Sequence, residues 1–524
     1  MQDTVGIFER ACRDCYTRGS RRHRFLKQDA ARCRQPVVNA GACSMKATLL
    51  ASSRFSLWIC GSVVGVLGVV APAGIGAQST APSGDVTFTK DIAPILQKHC
   101  QTCHRPDSLA PMSLLTYEDV RPYARSIKAR TALRTQRGAM PPWYIEKDIG
   151  IQQYKDDPSL NEEELAKIAK WADSGAPRGN PADMPPPLDF GNGDQWKLGK
   201  PDLIISSPDI TVKATSADQW VSMGTVPTGL TEDRYVRSVE VREINDIPKN
   251  ADSKTTVGGR FVFHHMNYSS STDPSGRIDE NSTHWPLPEV GRNGDIFPEP
   301  AGKLLQAGSV LVLEQAHLHA NGRDTKAHLE FAFRFHPKGY QPSVKWVNVS
   351  GLGRGADMDV KGLTANQELH AYAVLQQHTK VVTFEPHLHA AGTRMCIEAI
   401  FGTDIQTLTC AGYDHNWVRT YAYADDAMPL LPKGTILHII GVLDTSSANK
   451  NVVDGRNWSG GGRRSVSNMF HDTLGTYIEL TEEQFEKEMA ERVRKLKLTK
   501  NDYVIGCPLC MGVPQPEMAS TASR

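Results

Sequence analysis

The pentapeptide Cys100-Gln101-Thr102-Cys103-His104 constrains this chain more than any other feature. Two thiols three positions apart, followed at once by an imidazole, have the spacing at which a haem is held by two thioethers with the histidine on its iron. A disulfide or zinc loop with an incidental histidine is the competing reading of the same residues. The surroundings favour haem. Asp91-Ile92-Ala93-Pro94-Ile95-Leu96 opens an amphipathic helix that runs into the motif, and Asn161 with Glu164 makes a capping box for a second helix. There Leu165, Ile168, Ala169 and Ala172 recur at helical spacing until Gly175 stops the run.

The sixth position on the iron calls for a thioether or a second imidazole from the opposite face. Met112 follows His104 too closely to come round the ring. Met140, in Gly138-Ala139-Met140-Pro141-Pro142-Trp143, is better placed, with two prolines to stiffen the loop and Trp143 to pack on the haem edge. A plain core methionine is the alternative. Residues 84–180 are thus expected to form a small all-α cytochrome c domain in which Cys100, Cys103, His104 and Met140 hold haem c.

At 524 residues the chain has room for about three domains. Its 59 Lys and Arg against 58 Asp and Glu leave a net charge of +1, so no global field favours nucleic acid or an anionic membrane. The N-terminus carries two patterns. Residues 1–44 are Arg-rich and polar, and are expected to be a non-native or disordered extension. From Met45, Lys46 and Arg54 flank the start of an apolar run from Phe55 to Val70, and a small-residue stretch ends at Ala77. That is the layout of a secretory signal peptide over 45–77, with an uncleaved membrane anchor as the alternative. Met45 is then the expected start, and the protein is periplasmic or secreted, or membrane-tethered if the segment is kept. Export allows cysteines to pair. Of the 11, six follow residue 77: Cys100, Cys103, Cys396, Cys410, Cys507 and Cys510.

After Met184-Pro185-Pro186-Pro187, apolar residues alternate in short runs broken by Gly and Pro, as at Val236, Val239 and Val241 and at Val310, Val312 and Leu313. Antiparallel β-sandwiches are expected rather than α/β units. The histidines of this region are grouped. His264-His265 follows Arg260-Phe261-Val262-Phe263 and is read as closing that strand. His317-Leu318-His319 follows Val310-Leu311-Val312-Leu313, and His387-Leu388-His389 follows Val381-Val382-Thr383-Phe384. On a strand, x-His-x-His puts both imidazoles on one face, whereas adjacent histidines reach one ion only where the strand ends or bulges. A lone histidine is ordinarily a core or surface residue. Three clusters beside apolar strands point to metal. Imidazole with a thioether, which Met469 in Ser467-Asn468-Met469-Phe470 offers, and without a thiolate, favours copper cycling between Cu(I) and Cu(II) over structural zinc.

Five stretches carry a resemblance: Pro227-Thr228-Gly229-Leu230-Thr231-Glu232-Asp233-Arg234, His264-His265, Gln315-Ala316-His317-Leu318-His319-Ala320-Asn321-Gly322, Pro386-His387-Leu388-His389-Ala390-Ala391-Gly392 and Asn468-Met469. Over residues 84–480 the sequence resembles the copper type II, ascorbate-dependent monooxygenases, which include peptidylglycine hydroxylases and dopamine β-hydroxylase. In layout it is similar to bacterial relatives with a cytochrome c domain in front. The resemblance implies two tandem antiparallel β-sandwich domains of jelly-roll type, 196–355 and 356–480, each with one copper, facing across a solvent cleft. The electron-transfer copper would be held by His264, His265 and His317, and the oxygen-binding copper by His387, His389 and Met469. His319 has no counterpart among those ligands and is left as a support for them or a substitute for His317.

The expected activity is hydroxylation of a small organic substrate with O2. Electrons would come from an ascorbate-like reductant or a periplasmic redox protein through the fused haem. The other reading is an exported electron-transfer or copper-binding haem protein without oxygenase activity. Peptide-amidating members carry an arginine two residues before x-His-x-His that grips a substrate carboxylate. Glu385 stands there, so a neutral or cationic substrate is expected. His471 and Thr473 stand where the family has an asparagine and a tyrosine.

Among smaller features, Cys396 and Cys410 flank a hairpin turning at Gly402-Thr403-Asp404 and so face one another, which predicts a structural disulfide. Asp414-His415-Asn416-Trp417 and His438 read as packing or supporting residues. Thr481-Glu482-Glu483-Gln484 caps a charged helix to about Leu496 within the C-terminal helix and tail, 481–524. Cys507-Pro508-Leu509-Cys510 stays open between a small disulfide, a metal clip and a redox pair.

Overall fold

Alternating apolar side chains build most of the molecule from antiparallel sheets. A computed structural model describes residues 85–497 except 107, 191–195, 218, 249–259, 289–291, 349–352, 354–357, 457–459, 463–465 and 473–475. The extension at 1–44, the signal segment at 45–77, Thr473, Cys507 and Cys510 lie outside the described residues. Among the described residues no helix is long and apolar enough to cross a membrane.

Two sheets enclose a first core. One runs Lys303–Leu305, Arg234–Asn245, Thr325–Phe335, Leu203–Ser206; the other runs Gln219–Val221, Val310–Leu318, Phe263–Ser271, Thr283–His284. Val236, Val239, Phe331 and Phe333 of the first meet Met266, Tyr268, Leu311 and Leu313 of the second. A second pair of sheets follows. Its larger sheet runs Ile145–Gly150, Asp404–Gly412, Gly392–Phe401, Ile436–Leu443, Gln367–Val374, and its smaller one Lys345–Asn348, Thr476–Leu480, His378–Val381, Leu430–Leu431. Ile397, Leu408 and Ile439 pack there on Val381, Leu430 and Tyr477. Each such side chain contributes about 1.5–3 kcal/mol by leaving water. Because Lys345–Asn348 pairs with Thr476–Leu480, the second pair draws chain from ahead of residue 356. Trp346 packs against both cores and so joins the two sheet pairs.

The helices correct the expected fold class. Residues 84–180 do not form an all-α cytochrome c domain. Their helices Ala93–His99, Tyr117–Val120, Ala124–Thr131 and Glu162–Asp173 are short. Between the last two, the chain departs to make the strand Ile145–Gly150, which pairs with Asp404–Gly412. Trp143, Ile145, Ile151 and Tyr154 are buried in the second sheet-pair core, not against helices. The physical reason is local. Trp143-Tyr144-Ile145 is too apolar for a solvated loop, and an open sheet edge offers its backbone the hydrogen bonds it needs. The helices retain a small core of Phe88, Ile92, Leu96, Val120, Ile127, Ile168 and Trp171.

Local signals in this segment do take the forms that spacing predicts. The Asn161 side chain accepts from Glu164 N–H at 2.9 Å, while the Glu164 carboxylate accepts from Asn161 N–H at 2.9 Å. Gly175, at φ +86°, turns the chain out of that helix in a conformation costly for any residue with a Cβ.

Candidate metal centre

His264 and His265 open the strand Phe263–Ser271 rather than closing one at Arg260–Phe263. Facing them on Val310–Leu318, His317 pairs with His265, yet the next pair is Leu318 with Phe263. His264 is thus the extra residue of a bulge, the device that lets two adjacent histidines turn toward one point. Glu243 holds the bulge in place. Its carboxylate accepts from Val262 N–H and Phe263 N–H at 2.8–3.1 Å, and burial raises its pKa to about 7.

The side chains of His264, His265 and His317 converge, each offering a ligand atom within 4.8 Å of the others. His264 Nδ1 lies 3.0 Å from His265 Nδ1, and His319 Nε2 lies 3.0 Å from His317 Nε2. Nitrogens sharing one ion at bond lengths of about 2.0–2.1 Å stand about 3 Å apart, so the donor set fits a single transition-metal ion. His319 also stacks on His264 at 4.5 Å. Trp220, which the sequence did not single out, stacks flat on His317 at 4.3 Å and touches His265 edge-on at 4.9 Å. Its place comes from strand Gln219–Val221 pairing with the His317 strand. Burial chiefly, then neighbouring imidazoles, lower the pKa of His264 to about 4 and of His317 to about 2, and hold His265 far below its ordinary value. The rings are therefore neutral, with lone pairs to give.

The second group gathers at Pro386–His387, which pairs with His471–Asp472. His387 and His389 stand 5.2 Å apart by ring centroid, and His387 is 5.3 Å from His471. They do not share a face by strand alternation, because His389 adopts φ +63° beyond the strand. Met469 is brought to the same place by its backbone: its N–H donates to the carbonyl of Leu388 at 3.2 Å. His387 Nδ1 is buried and makes no hydrogen bond among the described residues, and burial holds its pKa well down. A buried imidazole nitrogen without a hydrogen bond fits a metal-ligand role.

Glu385 is not on a substrate surface. It is fully buried, accepts from the Thr420 hydroxyl at 2.6 Å, and lies 4.0 Å from His387 Nδ1. A carboxylate so buried sits against the His387 ring and cannot select substrate charge by contact.

The two groups lie within electrostatic reach of one another. His389 helps to lower the pKa of His317, and His265 that of His387. The loop Asp414-His415-Asn416 lies between them. His415 is 5.5 Å from His389 by ring centroid, and the Asn416 carbonyl is 3.1 Å from His264 Nε2.

The Cys-x-x-Cys-His segment adjoins this centre. Cys100 and Cys103 form no disulfide with one another, and burial with the neighbouring Cys103 pushes Cys100 up to about 12. His104 Nδ1 lies 3.3 Å from the Met112 carbonyl. A carbonyl only accepts, so that contact puts the proton on Nδ1 and leaves a lone pair on Nε2. Leu109 lines a cavity of about 50 Å³ together with His264 and His265, and Arg419 acts electrostatically on Cys103. The Met140 loop is anchored on both sides. Met140 N–H donates to the Arg130 carbonyl of helix Ala124–Thr131 at 3.2 Å, while on either side of it Gly138 N–H and Tyr144 hydroxyl donate to Asp414, and Trp143 packs edge-on against Tyr421 at 4.9 Å. Trp143 is therefore core, not haem edge.

No protein-family model matches the chain, and no curated protein matches it. Among solved structures it is similar to N-glycanase F (PNGase F), at 11% identity over 53% of this chain and 96% of that one, with a TM-score of 0.23. It is also similar to the T=1 Penaeus vannamei nodavirus, at 12% identity over 54% and 98%, with a TM-score of 0.13. At such scores neither likeness bears on fold or function.

Proposed function

We propose that this chain is a copper-dependent monooxygenase of the copper type II kind, hydroxylating a small organic substrate with O2 and receiving electrons through covalent haem c. The observation that carries the reading is the convergence of His264, His265 and His317 on one point, beside a second group of His387, His389 and Met469. Copper at the two groups would supply one-electron chemistry and O2 activation, and haem c would supply the electrons.

The chain's own residues prepare that chemistry. Burial keeps the imidazoles neutral, so no proton has to leave before a metal is bound. Trp220 fixes the plane of His317, and Glu243 fixes the bulge, so the donors are held in place before the ion arrives. The Leu388 carbonyl sets Met469 beside the His387–His389 pair. His415 and Asn416 join the two groups, and Leu109 joins the haem-binding segment to the first.

Metal analysis coupled to oxygen uptake tests the proposal. Two coppers and one haem per chain, with O2 consumption that depends on substrate, is the expected result. Metals bound without substrate-dependent uptake would leave an electron-transfer or copper-binding haem protein. Fewer than two coppers would overturn the dicopper reading.

A further inference from the structure

Another histidine group lies away from this centre, on the outer face of the larger sheet in the second pair. His438, on Ile436–Leu443, stands in register between Tyr372 on one neighbouring strand and Glu398 on the other, and His370 lies one pleat from Tyr372. Residues two apart on a strand share a face, so Glu368, His370, Tyr372, His438 and Glu398 crowd together. His438 Nδ1 is 3.0 Å from Glu398 Oε2, and His438 Nε2 is 3.0 Å from His370 Nδ1. His370 Nε2 is 3.7 Å from Glu368 Oε2. The Thr407 hydroxyl donates to the other Glu398 oxygen at 3.2 Å. Tyr372 stacks over His438 at 4.3 Å and 9°. As a result 9% of the His438 side chain is exposed, whereas His370 keeps 41%.

A carboxylate bonded to one imidazole nitrogen holds the proton there and turns the other lone pair outward. Glu398 does this for His438, so Nε2 presents a lone pair to His370. That lone pair takes either the Nδ1–H of His370 or a cation shared with the His370 ring, and the 3.0 Å between the two nitrogens is the separation that bonds of about 2.0–2.1 Å to one ion produce. Glu368, 3.7 Å from Nε2 of His370, lies beyond hydrogen-bond reach but adds negative charge beside the pair.

We propose that His370 and His438 form a surface site for a divalent transition-metal ion, with Glu398 fixing the ligating tautomer of His438 and solvent completing the coordination. The site is independent of the buried centre and of its proposed activity.

Equilibrium dialysis of the full chain against Zn(II) tests it. His370→Ala binds one Zn(II) fewer than wild type. Glu398→Gln retains that ion with affinity weakened on the order of 10–100-fold. His264→Ala with His317→Ala leaves it in place. His370→Gln, which keeps a polar side chain at the half-exposed position, loses the same ion and guards against misfolding of the alanine variant. Equal zinc counts in wild type and in folded His370→Gln would show a plain imidazole hydrogen bond and overturn the proposal.

Discussion

The main-chain N–H of Met469 donates to the carbonyl of Leu388 at 3.2 Å, which ties the thioether residue to the one residue separating His387 from His389. Nδ1 of His389, 3.3 Å from the Ser467 carbonyl, adds a second tie. Because the first bond belongs to the backbone, Met469→Ala removes the donor and spares the contact. The variant is expected to lose one copper, to keep its haem spectrum, and to lose substrate-dependent O2 uptake by at least on the order of 100-fold. Atomic spectroscopy and an oxygen electrode check the two halves separately.

Glu385 makes a prediction opposite to the one its position in the sequence invites. With the side chain fully buried and bonded to Thr420 at 2.6 Å, an arginine there must bury a guanidinium without a counter-charge, at a cost of several kcal/mol. Glu385→Arg is expected to lower the melting temperature and soluble yield without reversing preference between amine and carboxylate substrates. Glu385→Gln keeps the shape and should stay folded. A folded arginine variant with reversed preference would restore Glu385 as a substrate contact.

The buried imidazoles give the metal-free fold a direction with pH. Burial lowers His264 to about 4 and His317 to about 2, and holds His265 and His387 well down, while in the unfolded chain each titrates near about 6.5. Below that pH the unfolded state binds protons that the folded state refuses, so stability rises with pH across the window. The metal-free protein is expected to be fully stable above about pH 6.5 and to weaken steadily toward pH 4. Bound metal leaves over the same range because protons compete for the same lone pairs. Melting temperatures of metal-free protein at several pH values test this, and a flat profile would contradict it.

Features fixed by neighbours in sequence were legible. The Asn161–Glu164 and Thr481–Gln484 boxes form, and Cys396 faces Cys410 across its hairpin in a disulfide. The His264 bulge was legible only as a condition, that adjacent histidines need one, and the register slip at Leu318 meets it. Trp220 was not legible at all, and His415 and the outward-facing His438 were legible as packing or supporting residues but not their partners, because strand pairing and a distant loop bring those neighbours to them. Residues 84–180 misled because helices at both ends say nothing of the middle. Trp143, read as haem packing, begins an apolar approach, Trp143-Tyr144-Ile145, to a strand whose partner lies far along the chain.

The Cys396–Cys410 bond closes a loop of sequence separation 14. Chain-entropy arguments put such a loop at about 3 kcal/mol, by restricting the unfolded state. Replacing both cysteines by alanine should lower stability by that order in chemical denaturation while leaving copper content unchanged. Reduction of the wild type with the fold intact should reproduce the loss.

Glu240 anchors the start of the first sheet pair through charge. Its carboxylate accepts from Lys197 N–H at 2.9 Å, Leu198 N–H at 3.0 Å and Arg334 Nη2 at 2.9 Å, with 1% of the Arg334 side chain exposed and 7% of its own. Glu240→Ala strands the guanidinium in the interior and is expected to cost about 3–5 kcal/mol. The cost lies in the unpaired charge, not in the worth of the pair, so Glu240→Leu combined with Arg334→Met should recover much of it. Denaturant melts of the single and double variants decide between the two. Additive losses would mean that Arg334 gains its stability from Gly199, whose carbonyl it also reaches at 3.0 Å, and not from Glu240.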